Sequence, residues 1–126
     1  MKFGWLMMFF QGGDDMATIE VGGRRIEVDE YGHLVDYLYW NEEVAKKLAA
    51  TLQIELTPEH LEVVSFLRWY FEEYRISPML RILQKELRKR VGDDRSNTRY
   101  LYNLFPAGPA ASAAKIAGIP KPAGCG

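Results

Sequence analysis

Apolar and polar positions alternate from Thr18 to Val21 and again from Arg25 to Val28, with Gly22-Gly23 between the two runs. Period-two alternation around paired glycines predicts a β-hairpin. Residues 29–37 are rich in turn formers and aromatics, with Gly32 as the break. The period then becomes helical. Asn41 stands in a capping position, Glu42 and Glu43 suit the positive helix end, and Val44, Leu48 and Leu52 form one apolar stripe. Thr57-Pro58-Glu59 opens a second helix that should run to about Tyr74, burying Leu61, Val64, Leu67 and Phe71 or their near neighbours. Ser77-Pro78 repeats the signal and opens a third helix through Arg90, with Leu80, Leu83 and Leu87 inward. Gly92-Asp93-Asp94 stops it. Ser96 or Asn97 caps a short helix over Thr98 to Leu104, and a last one runs from Pro109 through the Ala-rich stretch to Ala117.

These elements predict a mainly α fold: a compact orthogonal helical bundle with an N-terminal β-hairpin and a flexible C-terminal arm. A length of 126 residues suits one domain, placed at residues 16–118. Residues 119–126 hold two prolines that forbid a helix and little to bury, which predicts a mobile arm. Residues 1–15 join an apolar run, Phe3 to Phe10, to Gly12-Gly13-Asp14-Asp15. Eight apolar residues fall short of the roughly 20 that a bilayer span needs, and no small-x-small cleavage site follows. This segment reads as a disordered extension ahead of a natural start at Met16, with an anchor for a membrane surface or a partner as the alternative.

Composition narrows the class only slightly. At 48% apolar, 26% charged and net charge −1, the chain resembles an ordinary soluble domain, with no global reason to bind nucleic acid. A single cysteine allows no internal disulfide, and a reducing cytoplasm is the expected setting. No C-x-x-C or H-E-x-x-H occurs, and His33 and His60 make no metal site with one distant cysteine, so neither metal nor organic cofactor is expected. His60, in the first turn of a helix, reads as structural.

Cys125 is the sharpest chemical feature. Most lone cysteines are small buried hydrophobes. One that stands next to last, between Gly124 and Gly126 on a Pro-Gly tail, has no core to enter. Its thiolate is a nucleophile that an arm can carry into another protein's active site, and glycine neighbours slim the chain for a narrow cleft. Ser112 has no His-Asp companions and reads as a helix-surface serine. Trp69, Tyr70, Phe71 and Tyr74 read as core and partner surface.

Arg99-Tyr100-Leu101-Tyr102-Asn103-Leu104-Phe105-Pro106, Gly108-Pro109-Ala110, Lys115 to Pro122, and Gly124-Cys125 together resemble the C-terminal signature of the TusE/DsrC family. Upstream, Thr57-Pro58-Glu59-His60 and Ser77 to Leu83 look like that family's helix starts. The resemblance covers Ile19 to Gly126. It implies a sulfurtransferase that accepts persulfide sulfur on Cys125 from a donor protein complex and passes it on, with no small-molecule turnover of its own. In the TusE branch the acceptor resembles a tRNA 2-thiouridylase, and nucleic acid is met only indirectly. In the DsrC branch the partner is dissimilatory sulfite reductase or a sulfur-oxidation pathway, and a second cysteine lies eleven residues earlier. That position here is Ala114, which favours the single-thiol branch. The resemblance also places Arg81 near the folded-back arm, where a cation would favour a thiolate or persulfide anion. Lys115 and Lys121 become arm or docking charges.

A reading of another class remains. Lys85, Arg88, Lys89 and Arg90 end one helix just before a glycine turn and a second helix, as in a nucleic-acid-binding helix-turn-helix. The plain alternative is that these cations complement a helix C-terminus.

Overall fold

The computed structural model describes residues 17–123. The expected extension at 1–15, together with Gly124 and Cys125, lies outside the described residues. Strands β1 (Ala17–Val21) and β2 (Arg24–Val28) pair antiparallel, with Ala17 opposite Val28 and Val21 opposite Arg24. Gly22 and Gly23 both take positive φ, +55° and +80°, the backbone of a tight hairpin turn that matches strand twist. Alternation then puts Val21, Ile26 and Val28 on one face. With Leu34, which bridges to Val28, they pack on Val44 and Leu48.

Helix α1 (Glu42–Thr51) starts where expected, its Asn41 side chain accepting from the Val44 N–H at 2.9 Å. Helix α2 (Pro58–Tyr74) opens with a capping box in which histidine replaces the usual Glu or Gln. The Thr57 hydroxyl accepts from the His60 N–H at 3.3 Å, and His60 Nδ1 accepts from the Thr57 N–H at 3.1 Å. His60 Nε2 in turn donates to the Leu104 carbonyl at 2.8 Å, so the neutral Nε2–H tautomer serves both ends. One side chain thus ties the start of α2 to the end of a distant helix, in keeping with its structural reading.

Helix α3 (Leu80–Val91) corrects one expectation. It begins two residues beyond Pro78, at Leu80, and its N-cap residue Met79 makes no side-chain cap. Ser77, expected to cap it, donates its hydroxyl to the Pro120 carbonyl instead. Leu83 and Leu87 face inward as predicted, and Leu80 packs at the core's edge. Helix α4 (Thr98–Leu104) is capped by Asn97, which accepts from the Tyr100 N–H at 2.8 Å.

Helix α5 (Pro109–Ile116) is the axis of the bundle and packs against α1, α2, α3 and α4. Ala110, Ala113, Ala114 and Ala117 are all essentially inaccessible. Side chains this small let neighbouring helices approach to the short end of ordinary interaxial distances. Ser112 is buried too, at 4% exposure, which corrects its assignment to the surface: a helix enclosed by four others has almost no outer face. Among the described residues, no helix is long and apolar enough to cross a membrane.

Phe105 lies wholly buried after α4, edge-on to the His60 ring at 5.2 Å. Truncation by Phe105→Ala leaves a cavity where two tie-points meet. The expected loss, read by chemical denaturation, is about 3–5 kcal/mol.

Candidate functional site

Helices end with unsatisfied carbonyls, and the end of α5 resolves them in an ordered way. Gly118 has φ +73°, the Ile119 N–H reaches the Ala114 carbonyl at 3.1 Å, and the Gly118 N–H reaches that of Lys115 at 3.1 Å. This is a Schellman termination, and the residue after its glycine, Ile119, is fully buried. A β-carbon on Gly118 would meet Trp40 Cδ1 at 2.8 Å and Leu34 Cδ1 at 2.9 Å. Glycine is therefore required both for backbone conformation and for space.

The carbonyls that remain are taken by side chains from three separate parts of the fold. Trp40 Nε1 donates to Ile116 at 2.8 Å. The Arg68 guanidinium, in the middle of α2, donates to Ala117 at 2.9 Å and to the Tyr37 carbonyl at 3.1 Å. It lies over the rings of Trp40 (4.5 Å) and Tyr37 (5.4 Å). Burial lowers its pKa below the ordinary arginine value, partly offset by Glu72, and an arginine keeps its charge regardless. His33 Nδ1 donates to Ile119 at 2.9 Å, and Ser77 donates to Pro120. His33 is itself placed by a turn in which Asp29 Oδ1 accepts from the Tyr31 and His33 N–H groups.

The tail was expected to have little to bury. Its first two residues are instead held at their carbonyls, Ile119 and Pro120, directly after the held carbonyls of Ile116 and Ala117, and Ile119 and Pro122 are packed inside. Sequence reasoning found none of Trp40, Arg68, His33 and Ser77 in these roles. Their side chains meet backbone oxygens up to 86 residues away, a pairing that leaves no periodic or motif signal.

Beyond the grip the chain enters a groove of about 450 Å³. Ile76, Pro78, Met79 and Ile82 form its apolar walls, Pro120 and Ala123 are contributed by the arm, and Arg75 and Lys121 supply charge. Lys121 Nζ also sits 4.3 Å from the centre of the Tyr31 ring. Arg75 ends α2 in the left-handed conformation, with φ 59°, and donates to the Tyr37 hydroxyl at 3.2 Å. Arg81 lies on the adjoining face with Gln84, Lys85 and Arg88, across the Met79–Ile82 ridge that both surfaces share. Lys115 lies along Gly32, its Cε 2.7 Å from where a β-carbon would stand.

The basic patch at the end of α3 is largely engaged locally. Arg88 pairs with Asp93 at 2.8 Å, Lys89 with Glu86 at 3.3 Å, and Arg90 covers the Trp69 ring at 4.4 Å. Only Lys85 of the four has no such contact among the described residues. Such contacts are those expected of charges near a helix C-terminus. Among the described residues, no three His, Cys, Asp or Glu side chains gather as a metal site would require.

Two predictions follow from the grip. Burial pushes the His33 pKa down from its ordinary value of 6.5; the Ile119 carbonyl and Asp29 oppose this, and Lys115 and Lys121 add to it. The unfolded histidine then takes up a proton at higher pH than the folded one. The contribution to stability is full above about 6.5 and lost as pH falls below it. Thermal unfolding followed from about pH 7.5 to 5 should show this loss, and His33→Asn, which keeps a donor near Nδ1, should flatten it. Gly118→Ala should cost about 2–4 kcal/mol, through left-handed strain and crowding of Trp40, as measured in urea.

Comparison with known proteins agrees with this architecture. Residues 20–126 match the family model described as DsrC like protein. The sulfurtransferase TusE of Pectobacterium atrosepticum is 46% identical over 107 residues, 85% of this chain and 98% of that protein. The solution structure of DsrC from Allochromatium vinosum is similar with a TM-score of 0.81 at 46% identity, covering 88% of this chain and 99% of that one. The oxidised gamma-subunit of dissimilatory sulfite reductase (DsrC) from Archaeoglobus fulgidus follows at TM-score 0.75 and 44% identity, covering 87% and 100%.

Proposed function

The chain belongs to the DsrC-like protein family, and from that premise we propose that it is a sulfur-relay carrier whose Cys125 accepts a sulfane sulfur and hands it on. The observation that carries the reading is the fastened root of the arm. Four side-chain donors fix the backbone through Pro120, and the chain then runs along an open groove to Ala123, two residues short of the only cysteine. A fixed root with a short segment beyond it suits a thiol that must enter a partner's site and return to a defined place.

The transfer step needs no external redox agent. The Cys125 thiolate attacks the outer sulfur of a donor persulfide. The donor's S–S bond breaks, its own thiolate leaves with the electron pair, and Cys125 now bears the sulfane sulfur and its proton. An acceptor thiolate then repeats the attack on that sulfur and releases Cys125 unchanged. Arg75 and Lys121, on the groove walls, supply positive potential that favours thiolate and persulfide anions over their protonated forms. Arg81 adds to the same potential from the adjoining face.

The acceptor we favour is a tRNA-thiolating enzyme. Ala114 supports this over a two-thiol partnership with sulfite reductase, because it stands where the second cysteine would be and is itself fully buried in α5. A disulfide between two thiols of one chain is excluded by composition. Neither a metal nor an organic cofactor enters the chemistry, and a cytoplasmic setting suits a working free thiol.

Intact-mass spectrometry after exposure to inorganic polysulfide tests the reading. The wild-type chain should gain about 32 Da per sulfur, removable by a thiol reductant, and Cys125→Ser should gain nothing. Absence of the adduct on folded wild-type protein sinks the carrier function.

A further inference from the structure

The surface beside the arm is unusual in two respects. Ile76, Met79 and Ile82 are exposed at 60%, 42% and 38%, and they are contiguous around the groove that Pro120 and Ala123 help to line. Exposed aliphatic side chains gathered in one place mark interaction surfaces more often than single ones do. Four cations frame them: Arg75 and Lys121 on the groove, Arg81 and Lys85 on the face that shares Met79 and Ile82. All four are exposed, and among the described residues none is in a salt bridge. Neither lining contains an aspartate or glutamate. On a chain of net charge −1 this clustering means that the acids lie elsewhere.

We propose that this face is the docking surface for a protein partner that presents an apolar side chain inside a ring of carboxylates. The inference rests on the relay reading for its purpose, since a partner seated there is held directly beside the arm. The charges choose the occupant. An apolar knob fills the space between Ile76, Met79 and Ile82, while surrounding carboxylates meet the four cations, which steers encounter and rejects basic surfaces. A second copy of this chain fits poorly, because a two-fold contact would set the cations against one another. Single-stranded RNA also fits poorly, because its bases need open aromatic faces. The aromatics nearby already have partners on one side: Arg90 lies over Trp69, and Tyr70 packs against Tyr74 with ring centres 4.6 Å apart.

The test uses the full-length, isotope-labelled chain and three probes: an acidic peptide with central leucine and methionine, its lysine-substituted counterpart, and a short uridine-rich RNA. The acidic peptide should shift amide signals centred on residues 76–85. Its affinity should fall as salt rises, and R81E/K85E should weaken it about tenfold. Ile82→Asp should weaken it as well, with circular dichroism unchanged. The proposal is overturned if the shifts lie elsewhere, if the lysine peptide binds as well, or if RNA binds these residues more tightly. Concentration-dependent dimerisation abolished by Ile82→Asp would also overturn it, in favour of self-association. Polysulfide loading of Cys125, measured on Lys85→Glu alone, should stay at the wild-type level. If wild type itself fails to load, the relay reading falls while the docking result stands on its own.

Discussion

The fold depends on a helix made almost entirely of small residues at its centre. Because Ala110, Ala113, Ala114 and Ala117 of the α5 region bring almost no bulk, four other helices can close on it, and the large side chains of the core come from its neighbours. Leu67, Leu83, Leu87, Leu101 and Phe105 fill the space around the axis rather than along it. A buried axis must end somewhere, and its last carbonyls cannot be left dry. The glycine turn at 118 and the donors Trp40 and Arg68 answer that requirement, and the same answer fixes where the arm begins. Core packing and the placement of the C-terminal segment are therefore one problem with one solution.

The Arg68 guanidinium shows how the balance is struck. Half-buried charge is costly unless its donors are used, and this one meets two backbone carbonyls and two aromatic faces. Replacing it with an apolar residue of similar size would leave the Ala117 and Tyr37 carbonyls without that partner. The cation is thus a structural rivet between α2, the 3-10 turn at Tyr37–Tyr39 and the end of α5.

Local signals in the sequence were strong where local physics decides. The Gly22-Gly23 turn, the caps at Asn41, Thr57 and Asn97, and the stripes of α1 to α3 are all visible within a few residues of chain, and all appear in the structure. The failures share a cause. Ser77-Pro78 has every mark of a helix start, yet a carbonyl 43 residues later takes the hydroxyl. Ser112 sits in a helix whose alanines are compatible with a surface or a centre, and only the packing of four other helices decides between them. His33, Trp40 and Arg68 are invisible as clamp residues for the same reason, since a backbone acceptor has no sequence identity. The family strings were legible; the backbone grip at 116–120 was not.

That the clamps hold backbone oxygens has a geometric corollary. Every residue type carries a carbonyl, so the anchor at 116–120 is indifferent to what the side chains beyond it are, and the tail behaves as a ruler zeroed at Pro120. Cys125 is five residues further along, and covalent geometry limits that distance to about 18 Å at full extension. Each residue inserted or deleted past the zero mark would move that limit by roughly 3.5 Å. The farthest that position 125 can lie from the zero mark is thus set by counting residues.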